Sequence, residues 1–346
     1  METRGGSVLP AKDHDYLMEI YSHYREWLKN GAPAPPWKPP VIWLECNACS
    51  GDKIAFMNSQ DPNLGEVLYR YIDVRFDNAL VAAEGHQALE ALLETAATHA
   101  GQFYLFVEGA IPLRDEGLYA IVAELNGERL TARDIITSIG SKAGYVIAAG
   151  TCASFGGPSA AYPNPSGSVG VRDVVQRPVI NVSGCPNNPD WIMGTLFHLL
   201  FYGEPEVDED GRPLLFYQYT VHRHCQRRSY FDRDEFADQL GDIECMFQLG
   251  CVGPRTPSDC PYRQWNGYVN WPVRANTPCI GCTTVGFPDS SMPFFVPLPE
   301  KQRPGPPVPL PGEPTLPQSA NDGEKASQVE QAPSNGPPPM MNDQKG

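Results

Sequence analysis

Four short apolar runs punctuate the first two-thirds of the chain: Val41-Ile42-Trp43-Leu44, Phe103-Tyr104-Leu105-Phe106-Val107, Tyr145–Ala149 and Val179-Ile180-Asn181-Val182. Each is continuous rather than alternating, which suits a strand buried on both faces. Between them the apolar residues recur at helical spacing over His86–Ala100 and Ala132–Ile139, and a further apolar stretch, Leu196–Phe201, follows the last run. Strands alternating with helices predict an α/β domain with a parallel sheet covered on both sides. Upstream, Leu17, Ile20, Tyr21, Tyr24 and Leu28 lie on one face of a helix over residues 13–29, ended by Gly31 and APAPPWKPP.

Polar residues cluster where the runs stop. Cys49, Asp52, Cys152 and Cys185 all follow the carboxyl ends of predicted strands, and in an open α/β sheet those ends face one crevice. Past Phe201 the periodicity fades. The stretch from His222 to Cys282 reads as loops with one helical turn near Phe236–Leu240, and it holds Cys225, Cys245, Cys251, Cys260, Cys279 and Cys282. Such a segment buries too little apolar surface to fold alone, so bound metal is expected to help. From about Pro304 the chain is Pro-, Gly-, Ser-, Gln- and Asn-rich and reads as disordered. The expected organisation is an N-terminal arm and linker (1–40), a flavodoxin-like domain (41–200), a metal-cluster domain (201–290) and a Pro-rich tail (291–346).

Composition narrows the partners. The 346 residues are 41% hydrophobic and carry a formal charge of −15, which excludes nucleic acid as an expected partner. No apolar run approaches the roughly 18 residues of a membrane span, and the N-terminus shows no secretory or twin-arginine pattern, Arg227-Arg228 lying deep in the chain. A cytoplasmic location is expected, against the inner face of the membrane at most. There thiols stay reduced, and ten cysteines point to metal rather than disulfides. Zinc would take four ligands per site. His222 and the six cysteines after it divide instead into a Cys₃His set and a Cys₃ set, which suits iron–sulfur clusters.

The motifs WLECNACSGD, VEGAIP, GTCASFGG, SGCPNNP, HRHCQRRSYFD, MFQLGCVGP and WPVRANTPCIGC, in that order, resemble the small subunit of nickel–iron hydrogenases over roughly residues 41 to 288. The resemblance implies an electron-relay subunit with a proximal, a medial and a distal cluster beside a large subunit that carries the nickel–iron centre. It implies a distal four-iron cluster on His222, Cys225, Cys245 and Cys251, with His224 out of register as an ordinary surface residue. It implies a medial cluster on Cys260, Cys279 and Cys282, of three irons because Pro272 stands where a fourth thiolate would sit. Counting from Trp43-Leu44, the proximal four-iron cluster falls to Cys49, Asp52, Cys152 and Cys185, an aspartate replacing a cysteine. The competing frame takes Cys46-Asn47-Ala48-Cys49 as the paired thiols; in the preferred frame Cys46 is a spare, buried thiol. Asp52 and the missing export signal resemble the actinobacterial-type, high-affinity, oxygen-tolerant uptake hydrogenases. Gly157 stands where a different oxygen-tolerant design carries an extra cysteine. A dimer of heterodimers or larger and a downstream acceptor such as a quinone are the implied partners. Glu108, ending a strand near the crevice, reads first as structural and second as a hydrogen-bonding or proton-handling group. The alternatives are the cluster subunit of a related quinone oxidoreductase, which leaves His222–Cys282 unexplained, and a free-standing ferredoxin-like carrier.

Overall fold

In the computed structural model, residues 37–265 and 267–299 are described, together with Glu26 and Pro35. The helix expected over 13–29 and the tail from 304 lie outside the described residues, as does all of the unit Val308–Gly346. The main sheet has five parallel strands: β1 (Pro40–Glu45), β2 (Asp73–Asp77), β3 (Tyr104–Glu108), β4 (Tyr145–Ala149) and β5 (Ile180–Val182). Their spatial order is β2-β1-β3-β4-β5. This is the flavodoxin-like order, with its topological switch between β1 and β3.

The strands β1, β3 and β4 bury both faces. Val41, Trp43, Tyr104, Phe106, Ile147 and Val182 point into one apolar cluster, and Ile42, Leu44, Leu105, Val107, Val146 and Ala148 into the other. Period-2 alternation therefore separates two cores rather than a core from solvent. The second core is closed by α2 (Gly85–Thr98), through Leu89, Leu92 and Ala96, and by α3 (Ala132–Gly140), through Ile135, Ile136 and Ile139. A capping box between Thr131 and Asp134 starts α3. The first core is covered by α5 (Pro189–Phe201), seven residues longer at its start than the apolar run at 196–201 suggests. Asn188 caps it by accepting the Asp190 N–H, and Pro189 occupies the first turn, where its missing N–H costs nothing.

The strand β2 and the short helix α1 (Gly51–Met57) had no sequence expectation. DVRFD mixes charge with apolar residues because β2 is an edge strand. The helical turn expected near Phe236–Leu240 is absent: Phe236 instead makes an isolated bridge with Cys245.

The cysteine-rich segment folds as short helical turns and loops. Its apolar residues Phe216, Tyr217, Val221, Met246, Trp271 and Val273 join the same core as β1, β3 and α5. This anchoring supplies the apolar burial that the segment lacks by itself. No helix among the described residues is long and apolar enough to cross a membrane.

Candidate functional site

All ten cysteines are free thiols. Three groups of candidate ligands sit along the carboxyl edge of the sheet and the loops beyond it.

The first group is built by the ends of β1, β4 and β5. After β1 the chain crosses Ser50, at φ 59, and enters α1, whose second residue is Asp52. After β4 comes α4 (Gly150–Phe155), which carries Cys152, and after β5 the loop Ser183–Asn188 carries Cys185. Burial pushes the Cys152 thiol up to about 11, with Asp52 and Cys49 adding negative charge nearby. The Cys185 thiol is pushed up to about 12 by burial, then by Cys152, Cys282, Asp52 and Cys49. The four sequence-derived candidates thus all follow the carboxyl ends of β1, β4 and β5. Cys49 and Cys185 remain exposed at the surface.

Asp52 is buried, and burial lifts its carboxyl to about 7. One oxygen, Oδ1, accepts the backbone N–H of Asn187 at 2.7 Å. A methyl group on Gly150 would lie 2.0 Å from the other, Oδ2. Gly150, at φ +86, is therefore needed both for its backbone conformation and for the space it leaves to this carboxylate. The fully buried Glu108 organises the same loop: its Oε1 accepts the backbone N–H groups of Asp52 at 3.0 Å and Lys53 at 3.2 Å, and its Oε2 accepts Trp43 Nε1–H at 3.1 Å. Lys53 turns away to pair with Glu45 at 3.1 Å and Asp77 at 2.9 Å.

Cys46 lies elsewhere. It packs on the core between the sheet and α2–α3. Burial raises its thiol far above the ordinary value, followed by Glu45 and Glu108, with no other cysteine contributing. Gly157 abuts Cys152: a Cβ there would be 2.9 Å from its Sγ.

The second group comprises Cys260, Cys279 and Cys282. Ser258 Oγ donates to Cys260 Sγ at 2.9 Å. Cys279 is raised well above the ordinary thiol value by burial and then by Cys251, Cys282 and Cys260. Pro272 is exposed between the buried Trp271 and Val273.

The third group lines one cavity, where His222, Cys225, Cys245 and Cys251 meet with Val221, Phe247, Pro254 and Val273. Burial takes the Cys225 thiol up to about 12 and Cys245 to about 11. The buried His222 ring packs edge-on against Phe231 at 4.5 Å, and burial, then Arg228, lowers it to about 4, so it is neutral. Its Nε2 has no hydrogen-bond partner. His224 instead packs edge-on against Tyr219 and at a tilt against Tyr262.

Hydrogen bonds tie the groups in series. Thr151 donates from Oγ1 to the Cys282 carbonyl while accepting Gly184 N–H at 2.8 Å. Ser183 Oγ and Arg212 both donate to the Thr283 carbonyl, at 3.0 and 3.1 Å. Further on, the N–H of Val252, next to Cys251, donates to the Cys279 carbonyl at 2.9 Å. Sequence reasoning missed Thr151, Ser183, Asn187 and Arg212. The first three were signalled only by adjacency to cysteine motifs, and Arg212 by nothing.

Among the described residues no three His, Cys, Asp or Glu side chains close around a single metal-ion position. A cluster asks something different, one ligand for each iron corner, so its thiolates stand apart. The donor sets fit that demand. They are soft sulfur with one imidazole and one carboxylate, the imidazole Nε2 is buried and unpaired, and the buried thiols are held neutral until a cation displaces their protons.

Residues 49–199 match the family "NADH ubiquinone oxidoreductase, 20 Kd subunit", and residues 217–295 match the C-terminal region of the NiFe/NiFeSe hydrogenase small subunit. The periplasmic NiFeSe hydrogenase small subunit of Desulfomicrobium baculatum is 39% identical over 276 residues, spanning 75% of this chain and 87% of that protein. This chain belongs to the nickel–iron hydrogenase small-subunit family. Another small-subunit relative, from the periplasmic NiFe hydrogenase 1 of Nitratidesulfovibrio vulgaris, is 39% identical over 267 residues, 75% of this chain and 82% of its own. A reduced, active NiFeSe hydrogenase structure from D. baculatum superposes with TM-score 0.73 at 38% identity, covering 76% of this chain and all of its own. The actinobacterial-type NiFe-hydrogenase of Ralstonia eutropha H16 gives TM-score 0.72 at 28% identity, over 79% of this chain and 86% of that one.

Proposed function

We propose that this chain is the electron-relay small subunit of a nickel–iron uptake hydrogenase, paired with a large subunit that holds the nickel–iron centre. The observation that carries this reading is the serial linkage of three thiol groups by hydrogen bonds, first to second from Thr151 Oγ1 to the Cys282 carbonyl, and second to third from the N–H of Val252, next to Cys251, to the Cys279 carbonyl at 2.9 Å. When bound, iron–sulfur clusters would accept and donate single electrons. The chain's own residues fix their places and spacing, exclude water, and set the charge around them.

Cys49, Asp52, Cys152 and Cys185 would hold a proximal four-iron cluster at the exposed edge, where Cys49 and Cys185 are open to a partner. Cys260, Cys279 and Cys282 would hold a medial three-iron cluster, since Pro272 offers no ligand atom. His222, Cys225, Cys245 and Cys251 would hold a distal four-iron cluster. Asp52, together with the likeness to the R. eutropha actinobacterial-type structure, supports a high-affinity, oxygen-tolerant enzyme. A dimer of heterodimers or a larger assembly and a quinone acceptor extend this reading. Ten free thiols favour the reducing cytoplasmic side, at the inner face of the membrane.

The match over residues 49–199 also favours a second reading, the cluster subunit of a quinone oxidoreductase. That reading gives His222, Cys225 and the five later cysteines no task. Redox-poised EPR of the purified complex separates the two. Three independently titrating clusters, one with the signal of an oxidised three-iron species, support the hydrogenase relay. A single cluster contradicts it.

A further inference from the structure

Asn187 presents an unanswered polar group at the proximal site. It lies between Cys185-Pro186 and the cap of α5, and its residue is 0% exposed. Its backbone N–H is spent on Asp52 Oδ1 at 2.7 Å. Its side-chain carboxamide is not spent: neither Nδ2 nor Oδ1 has a hydrogen-bond partner. Neighbouring Asn188 shows the contrast, donating from its carboxamide to the Gln264 carbonyl and accepting the Asp190 N–H.

An amide buried without a partner is costly, and native proteins answer nearly all such groups. Solvent does not reach Asn187. Its answering group must therefore sit inside the fold, within reach of a residue two positions from Cys185 and bonded to Asp52. We propose that the Asn187 carboxamide donates an N–H···S hydrogen bond to the proximal cluster and is a residue that sets its potential. This rests on the assignment of Cys49, Asp52, Cys152 and Cys185 as cluster ligands. The physical effect has a definite sign. An N–H dipole aimed at a cluster sulfur stabilises the more negative, reduced state and so raises the reduction potential. Asn187 would then hold the cluster twice, through the backbone on its carboxylate ligand and through the side chain on its sulfur.

The test uses the intact heteromeric complex. Iron is measured first in the wild type; a complex without iron overturns the cluster assignment itself. With iron present, protein labelled with ¹⁵N at the asparagine side chain is examined by pulsed EPR of the reduced proximal cluster. The expected result is a nitrogen hyperfine coupling that vanishes in Asn187→Leu, accompanied by a lower proximal midpoint potential and an unchanged iron content. Asn187→Asp, which replaces the donor by an acceptor, should lower the potential further. Wild-type spectra that contain iron but no side-chain nitrogen coupling overturn the hydrogen bond whether or not either variant folds. Coupling that persists in Asn187→Leu assigns the donor to another asparagine and overturns it equally.

Discussion

The carboxylate of Asp52 accepts the backbone N–H of Asn187 at 2.7 Å, so the loop after β5 grips the helix that follows β1 through the aspartate proposed as a cluster ligand. A carboxylate is a harder ligand than a thiolate and gives less charge to iron. Asp52→Cys should keep a four-iron proximal cluster with a lower potential and an altered EPR signal. Cys46→Ala should leave iron content and the EPR signals unchanged, because that thiol faces the α2–α3 core. Loss of the proximal signal in Cys46→Ala, with Asp52→Cys silent, would transfer the ligand role to Cys46.

Gly150 makes the space for that carboxylate. A Cβ at this position would be 2.0 Å from Asp52 Oδ2, on a residue at φ +86, so Gly150→Ala meets both a clash and backbone strain. The expected outcome is selective loss of the proximal EPR signal with the medial and distal signals retained. A Gly150→Ala complex with its full proximal signal would show that Asp52 is not confined there.

The fold of the first domain was largely legible, the site only partly. Continuous runs such as Phe103–Val107 identified four of the five sheet strands because both faces are buried. The strand β2 escaped because an edge strand tolerates Asp73 and Arg75 on its rim. Asp52 became a candidate only by counting from Trp43-Leu44, and no local pattern separates a candidate ligand aspartate from one that simply begins a helix. Thr151, Ser183 and Arg212, which join the first group to the second, act across separations of 71 to 131 residues. Sequence periodicity carries no information at that range.

Lys53 anchors α1 to the sheet through buried pairs with Asp77 at 2.9 Å and Glu45 at 3.1 Å. Removing one partner of a buried pair leaves an uncompensated charge, at a cost of about 3–5 kcal/mol. Lys53→Met should lower the thermal midpoint of the complex clearly, whereas Lys38→Met, at an exposed lysine that donates to the Leu68 and Tyr69 carbonyls, should move it little. Equal midpoints for the two variants would show that the buried pair carries no stability.

His198, on α5, donates from Nδ1 to the Gly203 carbonyl at 2.8 Å, and burial lowers its pKa. Its lowered value means that the unfolded chain binds a proton first as pH falls. Stability from this group is whole above the ordinary histidine pKa of about 6.5 and is lost as pH drops from there through the folded value. His198→Gln should flatten that acid-side loss in pH-dependent melting. An unchanged acid slope would show that His198 does not report on α5.

The central claim is a relay of three clusters on eleven protein ligands, and metal analysis of the purified complex tests it most directly. With two four-iron clusters and one three-iron cluster, about eleven irons per small subunit are expected, beyond the iron of the partner's nickel–iron centre, with nickel confined to the partner chain. Two or more zinc ions per small subunit with little iron would contradict the relay.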